Sequence, residues 1–203
     1  MKVNRLSVGV LGVNCYLVLD EETYETAVID PGGDENTIIK ALDKIKAKVK
    51  YILLTHGHYD HTGAAVFLKN KYEVPLYINK KDYEMIQSDT GELFYMHDDD
   101  GTLNTFLDEK SEFYLGNNKI FCLETPGHSP GGMTFLMGDI AFTGDSLFAG
   151  SIGRTDFVGG DYGTLMKSVE TKLTTLPENT IILPGHGPES TIQEEKESNP
   201  FLV

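Results

Sequence analysis

Thr55-His56-Gly57-His58-Tyr59-Asp60-His61 sets three imidazoles and one carboxylate within six residues, 56 to 61. Imidazole nitrogen and carboxylate oxygen are the donors expected around zinc and other first-row divalent ions. The apolar run Tyr51-Ile52-Leu53-Leu54 precedes this cluster and reads as a short strand that delivers Thr55 and His56 at its end. In extended chain His56 and His58, two apart, can point to the same side because side chains alternate. Asp60 and His61 fall at the start of the next helix, where the chain turns and can direct ligands at a neighbouring point. One short segment can therefore serve two adjacent ions.

Three later positions extend the set. Pro126-Gly127-His128-Ser129-Pro130-Gly131-Gly132, Thr143-Gly144-Asp145-Ser146 and Pro184-Gly185-His186-Gly187 each place a donor in a turn after an apolar run. The neighbouring glycines allow close backbone approach and unusual dihedrals. Taken alone, each is an ordinary polar turn; with the first cluster they form a series of seven nitrogen and oxygen donors: His56, His58, Asp60, His61, His128, Asp145 and His186. Structural zinc sites close with four ligands, usually including cysteine. This donor set points instead to open, catalytic ions. His97, the sixth histidine, receives no role.

Outward from the cluster, strand-like runs cover Val3 to Val10, Cys15 to Leu19 and Glu25 to Ile29, the last ending in the turn Asp30-Pro31-Gly32-Gly33. Ile38, Ile39, Leu42, Ile45 and Val49 recur at helical spacing across Asp34 to Lys48. A strand at Pro75 to Ile78 and a helix at Lys80 to Ile86 follow. Residues 87–110, rich in Asp, Gly, Thr and Asn, read as an insertion or lid loop. Strands resume at Phe113 to Leu115, Lys119 to Glu124, Met133 to Met137 and Ile140 to Thr143. A helix at Tyr162 to Leu173 and a strand at Thr180 to Leu183 finish the regular part. Interleaved strands and helices predict an α/β (α+β) fold, two sheets packed together with helices outside, as one domain over residues 1–203.

A net charge of −14 without a visible basic patch disfavours nucleic-acid partners. Bound metal would still create a local positive centre, so a small anionic substrate is compatible with this acidity. Cys15 and Cys122 form no C-x-x-C pair and read as reduced core thiols. No run reaches the length of a membrane-spanning helix. The start, Met1 to Cys15, is interrupted by glycines and lacks a cleavage site of the exported kind, so the expected location is the cytoplasm. Oligomeric state is not legible.

The His56-x-His58-x-Asp60-His61 motif, followed by His128, Asp145 and His186, resembles the metallo-β-lactamase fold superfamily in type and order over nearly the whole chain. The resemblance implies a four-layer αββα sandwich with the metals at one edge of the sheets. It implies that His56, His58 and His128 hold a first ion, that Asp60, His61 and His186 hold a second, and that Asp145 bridges them. A narrower likeness, to glyoxalase II-like hydrolases, is carried by Gly144-Asp145-Ser146-Leu147-Phe148, by Gly150-Ser151-Ile152-Gly153-Arg154-Thr155-Asp156-Phe157 with Gly159-Gly160-Asp161, and by Glu194-Glu195-Lys196 with Asn199-Pro200-Phe201.

That likeness implies hydrolysis of a thioester such as S-lactoylglutathione by a metal-activated hydroxide. Asp60 would orient the hydroxide and handle its proton. Two divalent ions are implied, zinc first, with iron or manganese as alternatives. Arg154 becomes the candidate for a substrate carboxylate, with an ion pair to Asp156 or Asp161 as the competing reading. The sequence departs from glyoxalase II in two places. Gly57 stands where that family usually carries another histidine, and the chain ends just after Asn199-Pro200, where a glutathione-gripping helical domain is expected. The rival activities are an iron-dependent persulfide dioxygenase using His56, His128 and Asp145, and a lactone hydrolase.

Overall fold

The structure, a computed structural model, describes residues 1–88 and 105–203. Most of the expected lid over residues 87–110, with His97 and Asp98-Asp99-Asp100, lies outside the described residues.

The chain opens with a hairpin of β1 (Lys2–Val8) and β2 (Val13–Leu19), and β3 (Glu25–Ile29) runs antiparallel to β2. Helix α1 (Glu35–Lys44) leads into β4 (Lys48–Leu53), parallel to β3. The short α2 (Tyr59–Thr62) and α3 (Ala65–Tyr72) lead to β5 (Leu76–Asn79), and α4 (Lys80–Ser88) precedes β6 (Phe106–Leu107). Next come β7 (Glu112–Leu115), β8 (Asn118–Glu124), β9 (Met133–Met137) and β10 (Ile140–Gly144). A small hairpin of β11 (Leu147–Phe148) and β12 (Ser151–Ile152) precedes α5 (Tyr162–Ser168), which continues as a π-helical turn over Val169–Leu173. The last elements are β13 (Ile181–Pro184), β14 (Ser190–Thr191) and α6 (Ile192–Ser198).

Among the described residues two six-stranded mixed sheets result, ordered β1-β2-β3-β4-β5-β6 and β14-β13-β10-β9-β8-β7. The alternation of side chains along β2 shows how they stack. Tyr16 and Val18 face Phe135, Phe142 and Leu183 of the second sheet, whereas Cys15 and Leu17 face Ile38 and Leu42 of α1 and Leu68 of α3. On the far side, Ile182 of β13 packs with Leu165, Val169, Leu173 and Ile192. The layers are therefore helix, sheet, sheet, helix, as the sequence implied. Burying side chains such as Phe135 and Phe142, both at 0% exposure, is worth about 1.5–3 kcal/mol each before entropy is counted.

The predicted helix over Asp34 to Lys48 is shorter than expected. Lys46 takes a left-handed φ of 54°, which ends α1 at Lys44 and frees Val49 to join β4. The first strand ends at Val8 because Gly9 and Gly12 turn the hairpin with positive φ. Helix α6 goes beyond the elements read from periodicity, although Thr191-Ile192-Gln193-Glu194 carries its capping box: Thr191 Oγ1 accepts from Glu194 N, and the Glu194 side chain accepts from Thr191 N. Both cysteines are free and buried. Among the described residues no helix is long and apolar enough to cross a membrane.

Candidate metal centre

The donors gather where strand ends of the two sheets meet. Strand β4 stops at Leu53, so His56 and His58 lie beyond it and strand alternation does not aim them. Hydrogen bonds hold the loop instead: Met133 N donates to Thr55 O at 2.8 Å and Gly57 N to Asp82 Oδ2 at 2.8 Å. The single turn of α2 then presents Asp60 and His61. His128 follows β8, Asp145 follows β10 and His186 follows β13. The turn bearing His186 is pressed against the centre, since a Cβ on Gly185 would lie 2.2 Å from Asp145 Oδ1 and 2.6 Å from His61 Cε1. Only glycine fits there.

All seven sequence-predicted donors come together. Three groups place their ligand atoms within 4.8 Å of one another: His56 with His58 and His128, His56 with His61 and Asp145, and Asp60 with His61 and His186. Asp145 stands between the first and last, its Oδ2 at 3.5 Å from His128 Nε2 and 3.7 Å from His186 Nε2, its Oδ1 at 3.4 Å from His61 Nε2. His186 Nε2 reaches Asp60 Oδ2 at 3.0 Å, and His58 Nδ1 lies 2.8 Å from His128 Nε2.

The outer bonds of three rings fix their tautomers. His128 Nδ1 faces Arg154 O at 2.6 Å, and a carbonyl only accepts, so this nitrogen carries the proton. His61 Nδ1 donates to Asp30 Oδ2 at 3.0 Å. Thr55 Oγ1 donates to the same oxygen at 2.6 Å and accepts from His56 Nδ1 at 3.1 Å. Each ring is thereby tied outward through Nδ1 and turns Nε2 inward, the arrangement metal-binding histidines use. The inward atoms His56 Nε2, His61 Nε2 and Asp145 Oδ1 are buried without a hydrogen-bond partner. Buried polar atoms left in this way cost about 1–3 kcal/mol each. Shared coordination of a cation satisfies all of them, so the residues fit divalent metal.

The electrostatics agree. Burial and the surrounding imidazoles push His56 well below its ordinary value and His58 down to about 3, so both are neutral and able to donate. Burial also lowers His128. Around His61 burial is outweighed by the carboxylates of Asp145 and Asp30, which favour a positive charge at the ring. Burial works against the Asp145 charge, yet His61 and the other imidazoles pull that carboxyl down to about 2. The pocket thus sets the neutral imidazoles of His56 and His58 beside ionised Asp145, and a cation at its middle would take the place of the proton that Asp145 and Asp30 favour on His61.

The Arg154 carbonyl touches His128, but its side chain is exposed at the rim. Its Nε and Nη2 donate to Asp156 Oδ1 and Oδ2 at 2.7 and 2.6 Å, and its guanidinium lies 4.0 Å above the Phe157 ring. The competing reading, an ion pair with Asp156, is therefore what the structure contains. Phe157 packs edge-on against His58 with centroids 5.2 Å apart, and Phe148 approaches His186 at 6.4 Å. Sequence reasoning assigned no role to Asp30, Thr55, Asp82 or the two phenylalanines. Asp30 had a usable signal, a carboxylate at a strand end one residue before proline; Asp82, inside a polar helix turn, had none.

Residues 8–186 match the family described as the Metallo-beta-lactamase superfamily. The hydroxyacylglutathione hydrolase GloC of Haemophilus influenzae is 40% identical over 209 residues, covering 100% of this chain and 98% of that protein. Among solved structures, the BLEG-1 B3 metallo-beta-lactamase superposes with a TM-score of 0.90 at 32% identity, covering 100% of both chains. TTHA1623 in a di-iron-bound form gives 0.85 at 33% identity, covering 98% of this chain and 100% of that one.

Proposed function

The chain belongs to the metallo-beta-lactamase superfamily, and from that premise we propose that it is a metallo-hydrolase that cleaves an acyl thioester of the S-lactoylglutathione kind with two divalent ions. The observation that carries this reading is the convergence of His56 Nε2, His61 Nε2 and Asp145 Oδ1, buried and without a hydrogen bond, between two groups of donors. The similarity to GloC along the full chain supports the thioester, and zinc suits the nitrogen-rich set. The di-iron form of TTHA1623 keeps iron as an alternative metal.

His56, His58 and His128 would hold one ion, Asp60, His61 and His186 the other, with Asp145 shared. When bound, such a pair supplies a Lewis acid and lowers the pKa of a water toward neutrality. The protein supplies the rest. Asp30, Thr55 and the Arg154 carbonyl hold the Nδ1 side of His61, His56 and His128 outward, which turns Nε2 of each ring toward the centre. Asp60 sits at the more open end of the centre, hydrogen-bonded to His186, where its carboxylate can orient the attacking water and take up its proton. A thiolate leaves readily, so no strong acid is required beside it. Phe157 and Arg154 form the rim on the His58 side, and Arg154 would meet a substrate carboxylate by sharing its guanidinium with Asp156.

Elemental analysis of protein purified without chelator, with S-lactoylglutathione hydrolysis assayed on the same sample, tests this. About two ions per chain together with thioester cleavage is the expected result. About one iron per chain, no thioester cleavage and oxygen uptake with a persulfide would overturn it in favour of the dioxygenase.

A further inference from the structure

One buried carboxylate stands beside the centre without belonging to it. Asp82, in the first turn of α4, is 0% exposed. Its Oδ2 accepts from Gly57 N at 2.8 Å and from Ser129 Oγ at 2.7 Å, and its Oδ1 accepts from Gly131 N at 2.5 Å. Gly57 lies between His56 and His58, and Ser129 follows His128. A single side chain therefore grips both loops that carry the first donor group.

The second group is anchored elsewhere. His61 rests on Asp30, and the His186 turn is held by Asn14 N donating to Gly185 O at 2.7 Å and Gly185 N donating to Gly144 O at 2.8 Å. The helix bearing Asp82 also packs hard against the first loop: a Cβ on Gly57 would stand 2.9 Å from Ile86 Cδ1 and 3.3 Å from Asp82 Cβ.

All three partners of Asp82 present hydrogens, two peptide N–H groups and one hydroxyl. A carboxylate accepts all three and brings no donor of its own. An amide of the same shape must aim its NH2 at Gly131 N or at Gly57 N, so one backbone donor is always opposed. Burial disfavours a charge here and pushes Asp82 up to about 6, and the three donors work against that penalty.

We propose that Asp82 is a positioning residue that sets the spacing of the 56–58 and 128–131 loops, and through it the affinity of the His56, His58 and His128 position for its ion. This inference rests on the two-ion reading of the centre. It separates the two positions: loss of Asp82 loosens one and leaves the other in place.

The test compares wild type with Asp82→Asn and Ser129→Ala, each purified as the holoprotein. Ion content, stepwise ion affinity by chelator competition, and the visible spectrum after cobalt(II) replacement are measured. For Asp82→Asn, affinity at one position should fall roughly 10–100-fold, with the other ion retained at near wild-type affinity. The cobalt spectrum should lose or broaden the bands of one site only, and kcat should fall more than KM rises. Ser129→Ala, which removes one donor and adds no bulk, should weaken the same position several-fold, and it keeps the test decisive if Asp82→Asn does not fold. Two wild-type affinities in both folded variants would overturn the proposal, as would equal weakening of both positions. A wild-type protein that takes up no ion would instead overturn the metal reading beneath it.

Discussion

Nδ1 of His61 lies 3.0 Å from Oδ2 of Asp30, and that oxygen also accepts from Thr55 Oγ1 at 2.6 Å while Oδ1 takes Thr55 N at 2.8 Å. Asp30→Ala strands three buried donors, at about 1–3 kcal/mol each. Stability in urea should fall by at least about 3 kcal/mol. Ion affinity at the His61 position should drop roughly 10–100-fold. Asp30 has a φ of 50°, which asparagine tolerates better than alanine, so Asp30→Asn should recover part of the stability.

Removing a donor tests the centre directly. His58→Ala and Asp60→Ala should each lose metal and most thioester turnover together, read by elemental analysis and steady-state kinetics. Either variant turning over at near-normal rate would sink the two-ion mechanism.

The glycine at position 57 is dictated by α4. Because Ile86 Cδ1 stands 2.9 Å from where its Cβ would be, Gly57→His overpacks the site and should cost about 1–3 kcal/mol in a denaturant titration. Pairing it with Ile86→Ala should not behave additively. Additive costs would mean that the two residues do not meet.

Freeing Arg154 should change substrate preference. Asp156 neutralises the guanidinium through both hydrogen bonds, so Asp156→Ala should lower KM several-fold for thioesters that carry a carboxylate, with little change for uncharged ones. Equal changes for both substrate sets would count against a substrate role for Arg154.

The two thiols should be silent in the folded protein. Burial, with Asp108 adding to it, pushes Cys122 from 9.0 up to about 12, and burial raises Cys15 further. A thiol reagent at pH 8 should find neither in native protein and both in guanidinium. Because the folded values lie above the unfolded ones, the protonated thiols add stability that is fully present below pH 9 and fades as pH rises toward 12.

The donor series was legible because its residues are rare, clustered and set beside glycine, and because no ordinary turn needs three histidines in six positions. The layer order was legible from apolar runs such as Tyr51 to Leu54, whose partition between Tyr51 and Leu53 on one face and Ile52 and Leu54 on the other appears in the packing. What escaped depends on contacts between segments distant in sequence. Nothing local marks Asp82 as the acceptor for Gly57 and Gly131, 25 and 49 residues away. Strands β11 and β14, two residues long, are shorter than any periodicity can register. Val49 reads as helical because its spacing from Ile45 is also helical; the left-handed turn at Lys46 puts it in β4.

The donors run from His56 to His186 and hang from the ends of strands in both sheets. Half of the chain cannot assemble them. Tight ion capture therefore has to wait until the sheets have docked, which places it late in folding. An ion that binds only the finished architecture does not hasten the search for it, but it deepens the native state by mass action and slows escape from it. The metal centre then doubles as a kinetic lock across the sandwich: chelation should accelerate unfolding far more than it slows refolding.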